Sequence, residues 1–200
     1  MKLGPSQAIK ILRDGASWHG GKHCWSLPVV NADGTYTAGE WTSSVAPSIC
    51  AKVWHLTTQP ALWWSHEGNV AAYLAEYDGA TSAREGEDKI AVERCRLLRP
   101  LTKAELESCG IVTDGTHEAN TGFSYASDSA TVHAYDSATV HTAGSAVCTA
   151  WLGTTLVLTR ADNGVIIDRR GATPKTYCKR AGLDGWRYAD GKLERRAAKK

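Results

Sequence analysis

Residues 128–151 repeat with a period of eight. Asp128-Ser-Ala-Thr-Val-His-Ala-Tyr135 is followed by Asp136-Ser-Ala-Thr-Val-His-Thr-Ala143, then by a degenerate copy, Gly144-Ser-Ala-Val-Cys-Thr-Ala-Trp151. Asp-Ser or Gly-Ser opens each unit, which is turn chemistry. Within a unit the side chains alternate as on a strand. Ala130, Val132 and Ala134 fall on one face, and Thr131, His133 and Tyr135 on the other. An eight-residue unit is too short to bury its own apolar face, so the units must stack. Two octads can make one turn of a flattened coil. With two strong copies and one weak one, the coil must lean on neighbouring strands or on another subunit.

Around the repeat, local signals suggest mixed structure. Ser6 can cap a short helix with Ile9 and Leu12 on one face and Gly15 at its end. Asn31-Ala-Asp-Gly34 is a turn. Residues 52–56, 70–77 and 89–98 read as strands, and Pro60 opens a short helix carrying Trp63 and Trp64. Thr102-Lys-Ala-Glu105 is a capping box that starts a helix ending near Gly110. After the repeat, Asp162-Asn163-Gly164 predicts a hairpin joining Thr154–Arg160 to Val165–Asp168. A second hairpin is expected around Ala189-Asp190-Gly191. The expected class is α+β: an N-terminal mixed α/β domain (1–115), a β-solenoid-like octad-repeat segment (120–168), and a basic segment of hairpin and tail (169–200).

The net charge of +2 hides an asymmetry. Residues 169–200 carry eleven Lys and Arg against three Asp and Glu, a balance of +8, which leaves −6 for residues 1–168. A basic segment of this kind suggests an anionic partner or contact with an acidic body. Trp186, Arg187 and Tyr188 at its root give the base-stacking and phosphate chemistry of single-stranded nucleic acid binding, set against a plain solubility role. No apolar run approaches the ~20 residues of a membrane helix. Lys2-Leu3-Gly4-Pro5 lacks the apolar stretch of a signal peptide, so a host cytoplasm or a virion is the expected location and no membrane is involved. The six Cys are then expected as free thiols.

Several constellations carry candidate chemistry. His19, His23 and Cys24, with Cys50 and His55, offer metal ligands, but their spacing matches none of the strong zinc patterns, and no metal is assigned. Cys24 or Cys50 with His55 could form a nucleophile pair. There is no nucleophile elbow, P-loop or dinucleotide fingerprint, and no cofactor is assigned. Trp18, Trp25, Trp41 and Trp54 could line a pocket for a planar ligand or fill an aromatic core. Thr131, His133, Tyr135, Thr139 and His141 form an outward polar strip. It is either a solvated face that resists aggregation or a flat binding surface made pH-sensitive by its two histidines.

Ile49-Cys50-Ala-Lys-Val-Trp-His55-Leu-Thr57 resembles an uncharacterised phage-encoded domain family, which carries a Cys followed by an aromatic-His pair. The later parts of that pattern appear as Pro60-Ala-Leu-Trp-Trp64, Tyr73-Leu-Ala-Glu-Tyr77, Asp88-Lys-Ile-Ala-Val92 and Arg96-Leu-Leu-Arg-Pro-Leu-Thr102. Such families often continue into short Ser/Ala/Thr-rich tandem repeats. The likeness covers roughly residues 15–150 and implies a phage or prophage origin without an activity. Trp18-His19-Gly-Gly21 followed by Val53-Trp-His-Leu-Thr57 also echoes ADP-ribosyltransferase-like folds. That likeness implies an NAD-consuming enzyme using His19, His55 and Glu76, although His55 stands where those folds often show Tyr and the late Glu has no clear counterpart. The preferred expectation is a non-catalytic interaction protein that contacts a host or virion protein and can self-associate. The transferase and nucleic-acid readings are its alternatives.

Overall fold

The computed structural model describes residues 1–17, 23–49, 53–65, 68–83, 88–152, 154–158, 165–171, 175–178, 186–189 and 192–195. Of these, residues 155–158, 175–178, 186–189 and 192–195 are described by their backbone alone. The chain divides into two units, Met1–Cys109 and Gly110–Lys200. Among the described residues the helical segments are a 3-10 turn at Pro60–Trp63 and one short helix, α1 (Lys103–Ser108). The expected α+β class is therefore wrong. The protein is almost wholly β, and the N-terminal unit is a small antiparallel barrel, not a mixed α/β domain.

The barrel uses β1 (Gln7–Arg13), β2 (Ala16–Ser17), β5 (Trp54–Thr57), β6 (Val70–Ala83) and β7 (Lys89–Pro100), with a separate hairpin of β3 (Val29–Val30) and β4 (Tyr36–Thr37). Both β1 and β7 pair with β5 and with β6, so the four strands close on themselves. The helix expected from Ser6 to Gly15 is instead β1, and the reason is legible. Ile9 and Leu12 mimic a helical stripe, but Ala8, Ile9, Lys10, Ile11 and Leu12 are all buried, because both faces of the strand are covered. Asp14 and Gly15 then both adopt positive φ (52° and 76°). They turn the chain directly into β2, where Arg13 pairs with Ala16. Asp-Gly is a hairpin signal before it is a helix stop.

Alternate residues of the barrel strands face two different environments. Ala8, Leu12, Leu56, Ala75, Val92, Cys95 and Leu97 cluster with Trp25, and all four closing strands contribute, so this face is the interior. Ile9, Ile11, Ala72 and Leu74 point the other way, under Leu101, Trp63, Trp64 and Leu106. The capping box holds α1 there. Thr102 Oγ1 accepts from the Glu105 amide, and the Glu105 carboxylate accepts from the Thr102 amide and from both terminal nitrogens of Arg99. These donors hold the Glu105 carboxyl down to about 2, the Arg99 bonds most of all. Residues 39–45 run along β7 where β5 ends. The amides of Gly39, Thr42 and Val45 donate to the carbonyls of Leu97, Cys95 and Glu93. A side chain at Gly39 would place its Cβ 2.0 Å from the Ser26 carbonyl oxygen, so only glycine fits that approach.

The second unit has one plan repeated. Strands β8 (Ile111–Val112), β10 (Phe123–Ala126), β12 (Thr139–Thr142) and β14 (Thr155–Leu158) make one parallel sheet. Strands β9 (Thr116–Ala119), β11 (Thr131–Ala134), β13 (Val147–Ala150) and β15 (Val165–Asp168) make another, to which β16 (Lys175–Cys178) adds antiparallel. The chain alternates between the sheets, so Phe123 pairs with Thr139 and Thr139 with Thr155. The inward side chains are small: Ala126, Ala130, Ala134, Ala138, Ala146 and Ala150 surround Val132, Val140, Cys148 and Ile166. The turns are built alike. The amides of Ala130, Ala138 and Ala146 donate to the carbonyls of Ser127, Tyr135 and Ala143. Each turn has a left-handed residue in second place, Asp128 (φ 52°), Asp136 (46°) and Gly144 (57°).

The hairpin expected between Thr154 and Asp168 does not form. β14 and β15 lie in different sheets, because the step between sheets stacks β14 on β12 and β15 on β13. The antiparallel partner of β15 is β16. Beyond it, β17 (Trp186–Ala189) and β18 (Lys192–Arg195) pair antiparallel on either side of Asp190-Gly191. At the end of β15, the Arg170 guanidinium donates to the Asp168 carboxylate and to the Thr154 carbonyl, and both partners of this ion pair are nearly buried.

Candidate functional site

One polar group lies in the apolar interior of the barrel. Lys10 shares the inward face of β1 with Ala8 and Leu12 and is 8% exposed. Its Nζ donates to the His55 carbonyl oxygen at 3.0 Å and stands 4.8 Å from the centre of the Trp25 ring. Trp25 meets Trp54 edge to face at 5.6 Å. Each indole is pinned by its N–H, Trp25 to Ser17 Oγ at 3.0 Å and Trp54 to the Ser43 carbonyl at 2.7 Å. His23 closes the stack from outside, 5.3 Å from Trp25 and 4.7 Å from Trp54, and is itself exposed. From solvent inward the order is His23, the two indoles, then Lys10.

Burial pushes the Lys10 ammonium down to about 8, a nearby Cys95 opposing the shift. Burial also pushes the Cys95 thiol up to about 11, with Lys10 and Thr42 pulling the other way. The Tyr73 phenol, in register with Lys10 on β6, is raised by burial. At neutral pH the thiol and phenol are uncharged, so no anion among the described residues offsets the ammonium. The arrangement holds a single amine inside the packed core, bonded to one backbone carbonyl and capped by an indole face.

Of the four tryptophans read as a possible pocket, Trp25 and Trp54 come together. Trp41 instead takes the guanidinium carbons of Arg94 and Arg96 at 5.1 and 4.9 Å, and Trp18 lies outside the described residues. The transferase set is not assembled. His19 lies outside the described residues. Glu76 is ion-paired with Arg96. Along β1, Glu76 stands opposite Gln7, and the Ile9–Thr57 register puts His55 beside Ile11. Four positions of strand separate the two, about 13 Å. Cys24 is exposed and Cys50 lies outside the described residues. Among the described residues no three His, Cys, Asp or Glu side chains are grouped to hold a metal, and no helix is long and apolar enough to cross a membrane.

The outward strip of the repeat is divided between two sheets. Thr131 and His133 face out from β11, and His133 lies between Glu118 and Thr149. Thr139 and His141 face out from β12, in the other sheet, with His141 4.4 Å from Phe123. Tyr135 leaves the strand and stacks on Trp151 at 6.1 Å and 8°, with Arg169 5.5 Å over the indole. Trp186, Arg187 and Tyr188 form β17, and their side chains lie outside the described residues.

Lys10 was absent from every candidate set drawn from the sequence. Its signal was a single Lys inside the apolar run Ala8-Ile9-Lys10-Ile11-Leu12. A helical reading lets such a Lys point to water; a strand buried on both faces does not. Comparisons of the chain with family models, with curated proteins and with solved structures gave no match.

Proposed function

We propose that this is a phage-type accessory protein acting as a protein-binding and structural module, in which the N-terminal unit carries the contact surface and the second unit is a short β-solenoid. The observation that carries the reading is the β3–β4 hairpin. Val29 and Val30 are 64% and 61% exposed, and adjacent strand residues point to opposite faces. Leu27, Tyr36 and Trp41 add further exposed apolar surface nearby in sequence. Concentrated exposed apolar side chains of this kind mark contact surfaces in folded proteins. The likeness of residues 15–150 to uncharacterised phage domains supports the origin. β8 and β9 end their sheets among the described residues, and such edges can pair between copies, which supports self-association.

The test is capture from an extract of infected host cells with immobilised wild type and with a Val29→Asp/Val30→Asp double variant. A host or virion protein retained by wild type and lost by the variant, at unchanged melting temperature, is the expected result. The same proteins retained by both would end the hairpin reading. Light scattering across a range of concentrations separates a host or virion partner from a second copy of the chain.

A further inference from the structure

We propose that the β17–β18 hairpin is a binding site for single-stranded nucleic acid, with Trp186 and Tyr188 as stacking positions and Arg195 as a phosphate contact. This segment is separate from the β3–β4 hairpin, so the site is independent of the protein-binding role. Two observations carry it: the register of the two strands and the charge of the chain around them.

Trp186 stands opposite Arg195, Arg187 opposite Glu194, Tyr188 opposite Leu193 and Ala189 opposite Lys192. Residues directly opposite in an antiparallel pair share a face, and neighbours along a strand alternate. One face of the ladder therefore carries the positions Trp186, Tyr188, Leu193 and Arg195. The one acid of the two strands, Glu194, falls on the other face opposite Arg187, where unlike charges compensate across the pair. The aromatic face has a cation and no acid. That combination suits a single strand, because every base has a flat face that stacks on an aromatic ring while a guanidinium pairs with phosphate. Trp186 and Tyr188 are two residues apart on one face, about 7 Å along the strand. This is roughly twice the ~3.4 Å rise between stacked bases of one strand. The two rings can take successive bases only from an extended, unstacked chain. A duplex keeps its bases stacked and offers neither ring a free face.

The charge points the same way. Residues 175–200 hold nine Lys and Arg against three Asp and Glu, and Arg196, Lys199 and Lys200 follow β18 in the sequence. The acidic residues of the rest of the chain are a poorer match for these cations. Glu76, Asp78, Glu105 and Asp168 are each already paired with an arginine. A nucleic acid brings one phosphate with every nucleotide. An acidic protein surface would meet the cations but gives no reason for two aromatic positions beside them.

The experiment titrates the whole chain into a fluorescently labelled oligothymidylate of about 20 nucleotides, longer than a large single-strand site. Binding is followed by anisotropy at several salt concentrations. A duplex of matching length and inorganic polyphosphate, which has the charge without the bases, serve as competitors. The single strand should bind about tenfold more tightly than the duplex or more, and polyphosphate should displace it poorly. Its affinity should fall with salt at a log–log slope of about −3, from roughly four neutralised phosphates. Trp186→Ala should weaken binding about tenfold or more at the same slope, Trp186→Phe should keep most of it, and Arg195→Gln should flatten the slope by about 0.7. Melting temperatures and the Trp186→Phe variant separate a lost platform from a lost fold, and the competitor titrations of wild type need no variant. Absence of binding at low salt overturns the proposal, as does equal affinity for the duplex or ready displacement by polyphosphate. A folded Trp186→Ala variant that binds like wild type overturns it too.

Discussion

Trp151 lies flat on Tyr135, with ring planes 8° apart and centroids 6.1 Å apart. The two residues directly follow β11 and β13, which pair in parallel, so the stack extends that strand pair beyond its last residues. The Trp151 amide donates to the Ala134 carbonyl beside it, so backbone and ring contacts hold the same junction. Aromatic pairs contribute about 0.5–1.5 kcal/mol beyond the area they bury. A double-mutant cycle of Tyr135→Leu and Trp151→Leu, read by urea unfolding, should give a coupling energy in that range. Additive effects would mean that the rings touch without mutual stabilisation.

Lys10 makes the barrel's stability depend on pH in a predictable direction. Unfolded, its ammonium titrates near its ordinary 10.5; folded, near 8. Between those values the unfolded chain binds more protons, so this group makes folding more favourable as pH rises. Below pH 8 the full cost of the buried charge is present. Lys10→Met removes the charge and keeps much of the volume. Its stability gain over wild type should be largest at pH 7, on the order of 3 kcal/mol, and should shrink toward pH 10.5. The Cys148 thiol, held up to about 12 by burial, is common to both proteins and cancels in the difference. A gain that stays constant between pH 7 and 10 would show that the charge is not what Lys10 costs the fold.

Much of this architecture could be read from the sequence, and the failures share one cause. The octad repeat reveals its own strands because identical turns and alternating small residues recur. The capping box at Thr102 and Glu105 is local chemistry and forms as read. The errors fall where a segment's neighbours decide its structure. Ala8 to Leu12 is apolar on both faces because a barrel wall is covered inside and out, and one-sided periodicity cannot describe that. Val165–Asp168 follows a good turn sequence, yet stacking on β13 takes it from β14. For the candidate site, the Trp-rich composition pointed toward Trp25 and Trp54. The one local sign of Lys10 is its place inside the apolar run Ala8 to Leu12, and a helical reading of that run turns the side chain toward water instead of inward beneath them.

Asp136 and Gly144 occupy the same left-handed place in successive turns, but their neighbours differ. A left-handed backbone costs a residue with a Cβ roughly 1 kcal/mol, less for Asp than for Ala. Asp136→Gly should therefore leave stability unchanged or raise it slightly, and Asp136→Ala should lower it by about 1 kcal/mol. Gly144→Ala should cost more, because its new Cβ would meet the Asp128 backbone nitrogen at 2.9 Å. Thermal unfolding of the three variants gives the order. Equal costs for Asp136→Ala and Gly144→Ala would mean that the layers separate to make room.

Thr142 is the inward residue of β12 that breaks the apolar pattern between the two sheets. It is fully buried, its hydroxyl has no nitrogen or oxygen partner, and it faces the Cys148 thiol of the opposite sheet. The preceding octad carries Ala134 at the same place. A buried hydroxyl without a good acceptor or donor costs about 1–3 kcal/mol relative to solvent. Thr142→Val keeps the branched shape and exchanges the hydroxyl for a methyl group. It should raise the stability of the second unit by about 1 kcal/mol and remove the weak contact that lowers the Cys148 thiol. Thr142→Ala separates polarity from volume, since it also removes the hydroxyl but leaves a gap between the sheets. Urea unfolding of both variants, with the reaction rate of Cys148 toward a thiol reagent as the second readout, checks the argument. A loss of stability in Thr142→Val would show that the hydroxyl contributes to holding the two sheets together.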